Sequence, residues 1–178
     1  MFEQLVTDRC IVRPFREEDV AALTRHANDR DVWLQLRDRF PHPYTEADAR
    51  HFLEHLRRAD PLTHFAIEVG GEVAGGIGLE PQVDIHAISA EIGYWVGRAV
   101  WGRGVATAAV RAVTDFVFER DKWRRLFAGV FSSNPASMRV LEKVGYRREG
   151  VLRQAVIKDG TVLDQVVYGL TREDWKRR

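Results

Sequence analysis

The segment Trp101-Gly102-Arg103-Gly104-Val105-Ala106-Thr107 constrains this chain more than any other. It follows a strand-like run, Glu91 to Val96, and opens a long amphipathic helix pattern that reaches about Arg120. A strand that breaks into a glycine turn and reopens as a helix leaves several backbone N–H groups unpaired and aimed along the helix axis. The helix dipole favours negative charge at the same point. The segment is therefore expected to be a phosphate cradle. A side chain at Gly102 or Gly104 would hold a phosphate away from the amides, and Arg103 can add a charge-assisted hydrogen bond.

Two familiar cradles fail on their details. Gly97 and Gly102 have P-loop spacing, but Arg103-Gly104 stands where Lys-Ser/Thr is needed, so the phosphate lysine and the magnesium hydroxyl are missing. The dinucleotide fingerprint needs a third glycine where Thr107 stands, and an acidic residue ending the next strand. Asp121 precedes that strand, roughly Arg124 to Ser132, instead of ending it. What remains is a site for a pyrophosphate without a metal.

The other elements follow in mixed order. Cys10 to Arg13 reads as a first strand, and Glu17 to Ala27 as a helix with acidic residues at its start. After a loop through Pro41-His42-Pro43-Tyr44, Thr45 and Asp48 form a capping pattern for a helix reaching about Ala59, with Phe52, Leu53 and Leu56 on one face. A hairpin turns at Gly70-Gly71, between Phe65 to Val69 and Val73 to Leu79. A longer strand, Ile85 to Val96, leads into the cradle, whose helix places Val105, Ala109, Val113, Phe116 and Val117 on one stripe. The strand Leu126 to Phe131 ends in a second strand-to-helix junction, where Asn134 suits an N-cap, Pro135 the first helical position and Gly145 the residue past the end. Two strands flank Asp159-Gly160 at the close.

Composition narrows the function. With 45% apolar and 30% charged residues, residues 1–178 are expected to form a single domain. A formal net charge of +1 argues against nucleic acid as a partner, and the basic end Lys176-Arg177-Arg178 reads as a solvated terminus. No apolar run approaches the roughly 20 residues of a membrane span, and Met1-Phe2-Glu3-Gln4 has a non-secretory pattern, so a cytoplasmic protein with no membrane partner is expected. The one cysteine, Cys10, lies in an apolar strand pattern and reads as a buried, inert thiol. His51 and His55 have zinc-compatible spacing on a helix, but no HExxH glutamate or third ligand accompanies them, so no metal is expected.

The two junctions together resemble the GNAT N-acetyltransferases. Their acetyl-coenzyme A signature, Gln/Arg, two residues, Gly, one residue, Gly/Ala, is matched by Gly104 and Ala106 but begins here with Trp101. That tryptophan resembles the RimJ/RimL branch of ribosomal-protein alanine acetyltransferases, whose turn commonly reads Trp-Gly-basic-Gly-aromatic/aliphatic-Ala-Thr. The same branch carries a motif met in full by Asn134, Ser137, Lys143, Gly145 and Tyr146. The resemblance runs from Arg9 to Leu170. It implies an α/β, mixed α+β fold, with a mixed, mostly antiparallel sheet of about seven strands splayed between two central parallel strands and flanked by helices.

The resemblance also implies roles. The pantetheine arm of acetyl-coenzyme A would lie in the splay and pair with the backbone at Trp95 and Val96, and a strand amide would polarise the thioester carbonyl. Gly102, Arg103, Gly104, Val105, Ala106 and Thr107 would hold the diphosphate, and Asn134 would combine capping with a coenzyme contact. Glu91, on the face opposite Ile92 and Tyr94, is the candidate general base; its alternative reading is a solvated strand carboxylate. Ser137, near the coenzyme sulfur in this branch, is the candidate acid and a coenzyme contact; its alternative is a serine tolerated in a first helical turn.

The expected activity is transfer of an acetyl group to a primary amine by direct attack in a ternary complex. A side-chain amine near a pKa of about 10.4 needs a strong base, whereas an α-amine near about 7.7 to 8.0 is already partly neutral. Such a site favours α-amines, while free amino acids, aminoglycosides and polyamines stay open as acceptors. The segment Glu17 to Arg58 is the candidate acceptor wall, with Trp33, His42 and Tyr44 as candidate lining whose alternative reading is packing or surface, and relatives that pair through sheet edges or closing strands leave a homodimer open. The competing class is a non-catalytic coenzyme A-binding sensor or partner module, which would differ at Glu91 and Ser137.

Overall fold

A computed structural model describes residues 4–58, 63–120 and 122–178. The chain runs through β1 (Leu5–Val6), β2 (Ile11–Arg13), a 3-10 turn (Glu17–Asp19), α1 (Val20–Ala27), α2 (Arg30–Trp33) and α3 (Glu46–Arg58). It continues through β3 (His64–Val69), β4 (Glu72–Pro81), β5 (Ser89–Val96), α4 (Val105–Glu119), β6 (Arg125–Phe131), α5 (Pro135–Val144), β7 (Arg147–Lys158), β8 (Thr161–Thr171) and α6 (Arg172–Trp175). The eight strands form one sheet in the order β1-β2-β3-β4-β5-β6-β8-β7. β5 and β6 are parallel, and β1 with β2, β2 with β3, β3 with β4, β6 with β8 and β7 with β8 are antiparallel. This is the mixed, mostly antiparallel architecture expected.

Several elements differ from the sequence reading. The strand expected from Ile85 starts only at Ser89, because Asp84–His86 is a 3-10 turn. β1, α2 and α6 are additional, each too short to show a period. Ala59, the expected end of the third helix, and Asp121 lie outside the described residues.

Two compact units make up the chain, Met1–Gly78 with Tyr94–Ala109, and Leu79–Gly93 with Val110–Arg178. In the first, Val20, Leu23 and Ala27 of α1 pack with Tyr44, Ala49 and Leu53, while Phe15, Phe40, Phe52 and Trp95 close over them. Arg13, 3% exposed, is buried with Asp19 and reaches the half-buried Glu68: its two terminal nitrogens donate to the two oxygens of Asp19 at 2.8 Å each, and Nε donates to Glu68. That arrangement satisfies a buried cation whose desolvation is otherwise costly.

In the second unit the core lies on one sheet face. Ala90, Ile92, Leu126, Ala128, Val130, Val166, Tyr168 and Leu170 are buried there, together with Val110, Val113, Val117 and Phe118 of α4. Phe116, expected on the buried stripe, is only half-buried and lies under the Arg120 guanidinium at 3.6 Å. The 3.6-residue period carries the stripe onto Phe118 instead. α5 ends as its sequence requires, with Gly145 in the left-handed region at φ 99°.

Candidate active site

The cradle belongs to the first unit. Gly102 and Gly104 both take positive φ, 71° and 77°. No described atom lies within 4 Å of where a Cβ on either would stand. The positive φ disfavours other residues through backbone strain, and the open space above each glycine is what a side chain there would take up. The first bond of α4 is donated by the Ala108 amide to the Gly104 carbonyl at 3.0 Å. The amides of Val105, Ala106 and Thr107 therefore precede any acceptor inside the helix, and Gly104 has no side chain with which to cap them. Arg103 is exposed beside these donors. The diphosphate of a coenzyme A fits this set of groups: open space, oriented donors, the positive end of a helix and one cation.

The turn leading into the cradle is anchored on both sides. Gly97 N–H donates to the Ala74 carbonyl at 2.7 Å, and the Trp101 indole N–H donates to the Val96 carbonyl at 2.7 Å. Trp101 is thus a brace for the turn, which the family signature alone did not indicate. Arg98 reaches Asp31 at 2.5 Å, and His26 crowds Gly97, where a Cβ would come within 2.5 Å of Nδ1. Asp31 and His26 lie too far away in sequence for a local motif to find them. The Trp95 side chain packs edge-on against Phe40 at 5.3 Å, in the first unit's apolar cluster, so what Trp95 can offer a pantetheine is backbone.

The second unit holds the two residues read as acid and base. Glu91 is half-buried on β5 and stands opposite Phe127 at the last pair of the parallel ladder, which comprises Ser89↔Arg125, Ala90↔Leu126 and Glu91↔Phe127. Both strands continue beyond that point, β5 to Val96 and β6 to Phe131. Strand alternation puts Glu91 on the face opposite Ile92 and Tyr94, as the sequence suggests. Asn134 caps α5: its Oδ1 accepts the Ser137 N–H at 3.0 Å. Pro135 occupies the first turn. The cap fixes the backbone of half-buried Ser137 two residues into the helix.

The remaining candidates fall elsewhere. Cys10 is far from the cradle in sequence but touches it in space, its thiol lying 3.9 Å from the Val105 carbonyl. Burial pushes that thiol above its usual pKa, partly opposed by a hydrogen bond from Thr7. A thiol held protonated suits packing, not nucleophilic attack. Trp33 stacks on His42 with centroids 5.4 Å apart, and Tyr44 is 4% exposed in the apolar cluster. His51 and His55 are both exposed on α3. Among the described residues no group of three or more His, Cys, Asp or Glu could hold a metal ion, and no helix is long and apolar enough to cross a membrane.

A family described as "Acetyltransferase (GNAT) domain" matches residues 9–147. The chain is 33% identical over 170 residues to the probable N-acetyltransferase YjcK of Bacillus subtilis, covering 92% of this chain and 94% of that protein. It is 24% identical over 180 residues to the [ribosomal protein uS5]-alanine N-acetyltransferase of Escherichia coli, covering 97% and 92%. Among solved structures, Mycobacterium smegmatis RimJ in complex with CoA-disulfide superposes with a TM-score of 0.82 at 29% identity, covering 93% of this chain and 83% of that one.

Proposed function

The chain belongs to the GNAT acetyltransferase family, and from that premise we propose that it acetylates the α-amine of a protein or peptide N-terminus by direct attack in a ternary complex. That it is an acetyl-coenzyme A-dependent acetyltransferase follows from the family and its relatives, and this sets aside a module that only binds the coenzyme. The co-substrate supplies an acetyl group activated as a thioester. The amides of residues 102–107 and the Arg103 guanidinium hold its diphosphate, and the backbone of Trp95 and Val96 pairs with the amides of its arm. Glu91 accepts the proton that the acceptor ammonium must lose before it can attack. The Ser137 hydroxyl, set by the Asn134 cap, gives a proton to the departing sulfur.

One observation carries the coenzyme half of this reading: α4 opens at a positive-φ glycine, with its first internal bond donated only at Ala108. The acceptor half is supported by chemistry and by likeness. An α-amine is partly neutral at neutral pH and asks little of a single carboxylate base. Both RimJ and the uS5-alanine enzyme are relatives.

The test is a free-thiol assay with acetyl-coenzyme A and three acceptors: an alanine-initiated peptide, a lysine peptide with a blocked N-terminus, and spermidine. The first is expected to be acetylated fastest; preference for spermidine moves the substrate class to small amines. Glu91→Gln and Ser137→Ala are each expected to lower kcat on the order of a hundredfold, with coenzyme affinity kept in Glu91→Gln. Unchanged rates in both variants contradict the assigned roles even in a working enzyme.

A further inference from the structure

A glycine inside a strand weakens it, so its presence asks for a reason: a positive φ, a bulge, or something that approaches too closely for a Cβ. The chain has 14 glycines, and the fold accounts for all but one of them. Gly70, Gly71, Gly102, Gly104, Gly145 and Gly160 take positive φ. At Gly75, Gly76, Gly78, Gly97, Gly129 and Gly169 a Cβ would stand 3.0 Å or less from another atom. Gly150 marks the register shift in the β7–β8 ladder. Gly93, like Gly150, has neither positive φ nor any described atom within 4 Å of its Cβ position, but it sits in the middle of β5 and away from that register shift.

Its surroundings say what approaches it. Strand alternation places Gly93 on the face of Glu91, roughly 7 Å further along β5. The same face carries Phe127, opposite Glu91, and then Gly129. At Gly129 the space is taken by the side-chain amide of Gln165, whose Nε2 lies 2.1 Å from where a Cβ would be. The reverse face is sealed by Ala90, Ile92, Leu126, Ala128 and Val130. Exposed Gly93 thus leaves an open notch next but one to Glu91 on that face of β5.

We propose that the notch over Gly93 receives the amine-bearing end of the acceptor. The carbon next to the amine rests on the bare backbone of Gly93, and the ammonium reaches back to the Glu91 carboxylate, which takes one proton as the nitrogen lone pair is freed. Any Cβ at this position occupies the acceptor's place, which makes Gly93 a specificity residue for unhindered primary amines. The inference rests on Glu91 as the base that faces the acceptor.

The test compares wild type with Gly93→Ala and Gly93→Val, using the alanine-initiated peptide, spermidine and an aminoglycoside as probes. Acceptor KM, acetyl-coenzyme A KM, coenzyme A affinity by calorimetry and Tm are measured. For whichever probe the wild type acetylates, acceptor KM is expected to rise at least tenfold in Gly93→Ala and further in Gly93→Val. Coenzyme A affinity should stay within twofold, and Tm should be equal or higher in Gly93→Ala. An unchanged acceptor KM overturns the proposal. So does a lowered Tm in Gly93→Ala, which returns the glycine to the fold, and so does weakened coenzyme A binding with acceptor KM unmoved, which gives the notch to the coenzyme. A wild type that acetylates none of the probes overturns the functional reading and this inference with it.

Discussion

Tyr44 shows how far a single side chain can tie stability to pH. It is buried in the apolar cluster of the first unit, and burial, followed by the nearby Asp48 charge, pushes its phenol up to about 12 from an ordinary value of 10.0. A raised native pKa means that the contribution is fully present below the unfolded value and is lost as pH rises through the native one. Stability in urea should therefore fall between about pH 10 and 12, by on the order of 2 kcal/mol. Tyr44→Phe should flatten that fall; an equally steep alkaline loss in the variant contradicts the assignment. At this scale the sequence was informative wherever the role was local. Asn134 caps the amide of Ser137 as its position before Pro135 implied. The brace from Trp101 to the Val96 carbonyl was not legible, because a side-chain hydrogen bond to backbone leaves no pattern in residue order.

Among the elements, the cradle and the buried Arg13 cluster make separate demands. Gly104→Val puts a β-branched side chain at φ 77° and fills the space above the amides. Coenzyme A affinity should drop at least about tenfold, while stability falls by about 1–3 kcal/mol. Calorimetry and urea unfolding on the same variant separate the two effects, and unchanged affinity would remove the cradle from the binding site. Arg13→Met removes the cation shared by Asp19 and Glu68, and should cost about 3–5 kcal/mol in urea unfolding through the uncompensated carboxylates. A loss below about 1 kcal/mol would show that water reaches them. Helices with explicit start and stop chemistry were readable: Thr45 and Asp48 exchange hydrogen bonds in both directions at the start of α3. The segment before Ser89 misled because its apolar residues are not buried. Val83, Ile85 and Ile88 are 78%, 80% and 58% exposed, in a loop closed by the Gln82 amide on the Ser89 carbonyl.

For the molecule as a whole, the two strand-turn-helix junctions carried most of what the sequence could say about function. Each packs its chemistry into fewer than about ten consecutive residues, where glycine, proline and capping side chains leave an imprint. What depends on pairing distant strands left none: the register of Glu91 with Phe127, the Gln165 amide over Gly129, and the Cys10 thiol against Val105. Those contacts arise only once the sheet has formed. The proposed function rests on backbone amides at the start of α4 gripping a diphosphate, and titration calorimetry tests that grip with two ligands. Coenzyme A carries the diphosphate, and pantetheine offers the same arm without it. Coenzyme A should bind at least a hundredfold more tightly, a difference of about 2.7 kcal/mol; equal affinities, or no heat with coenzyme A, would contradict the central claim.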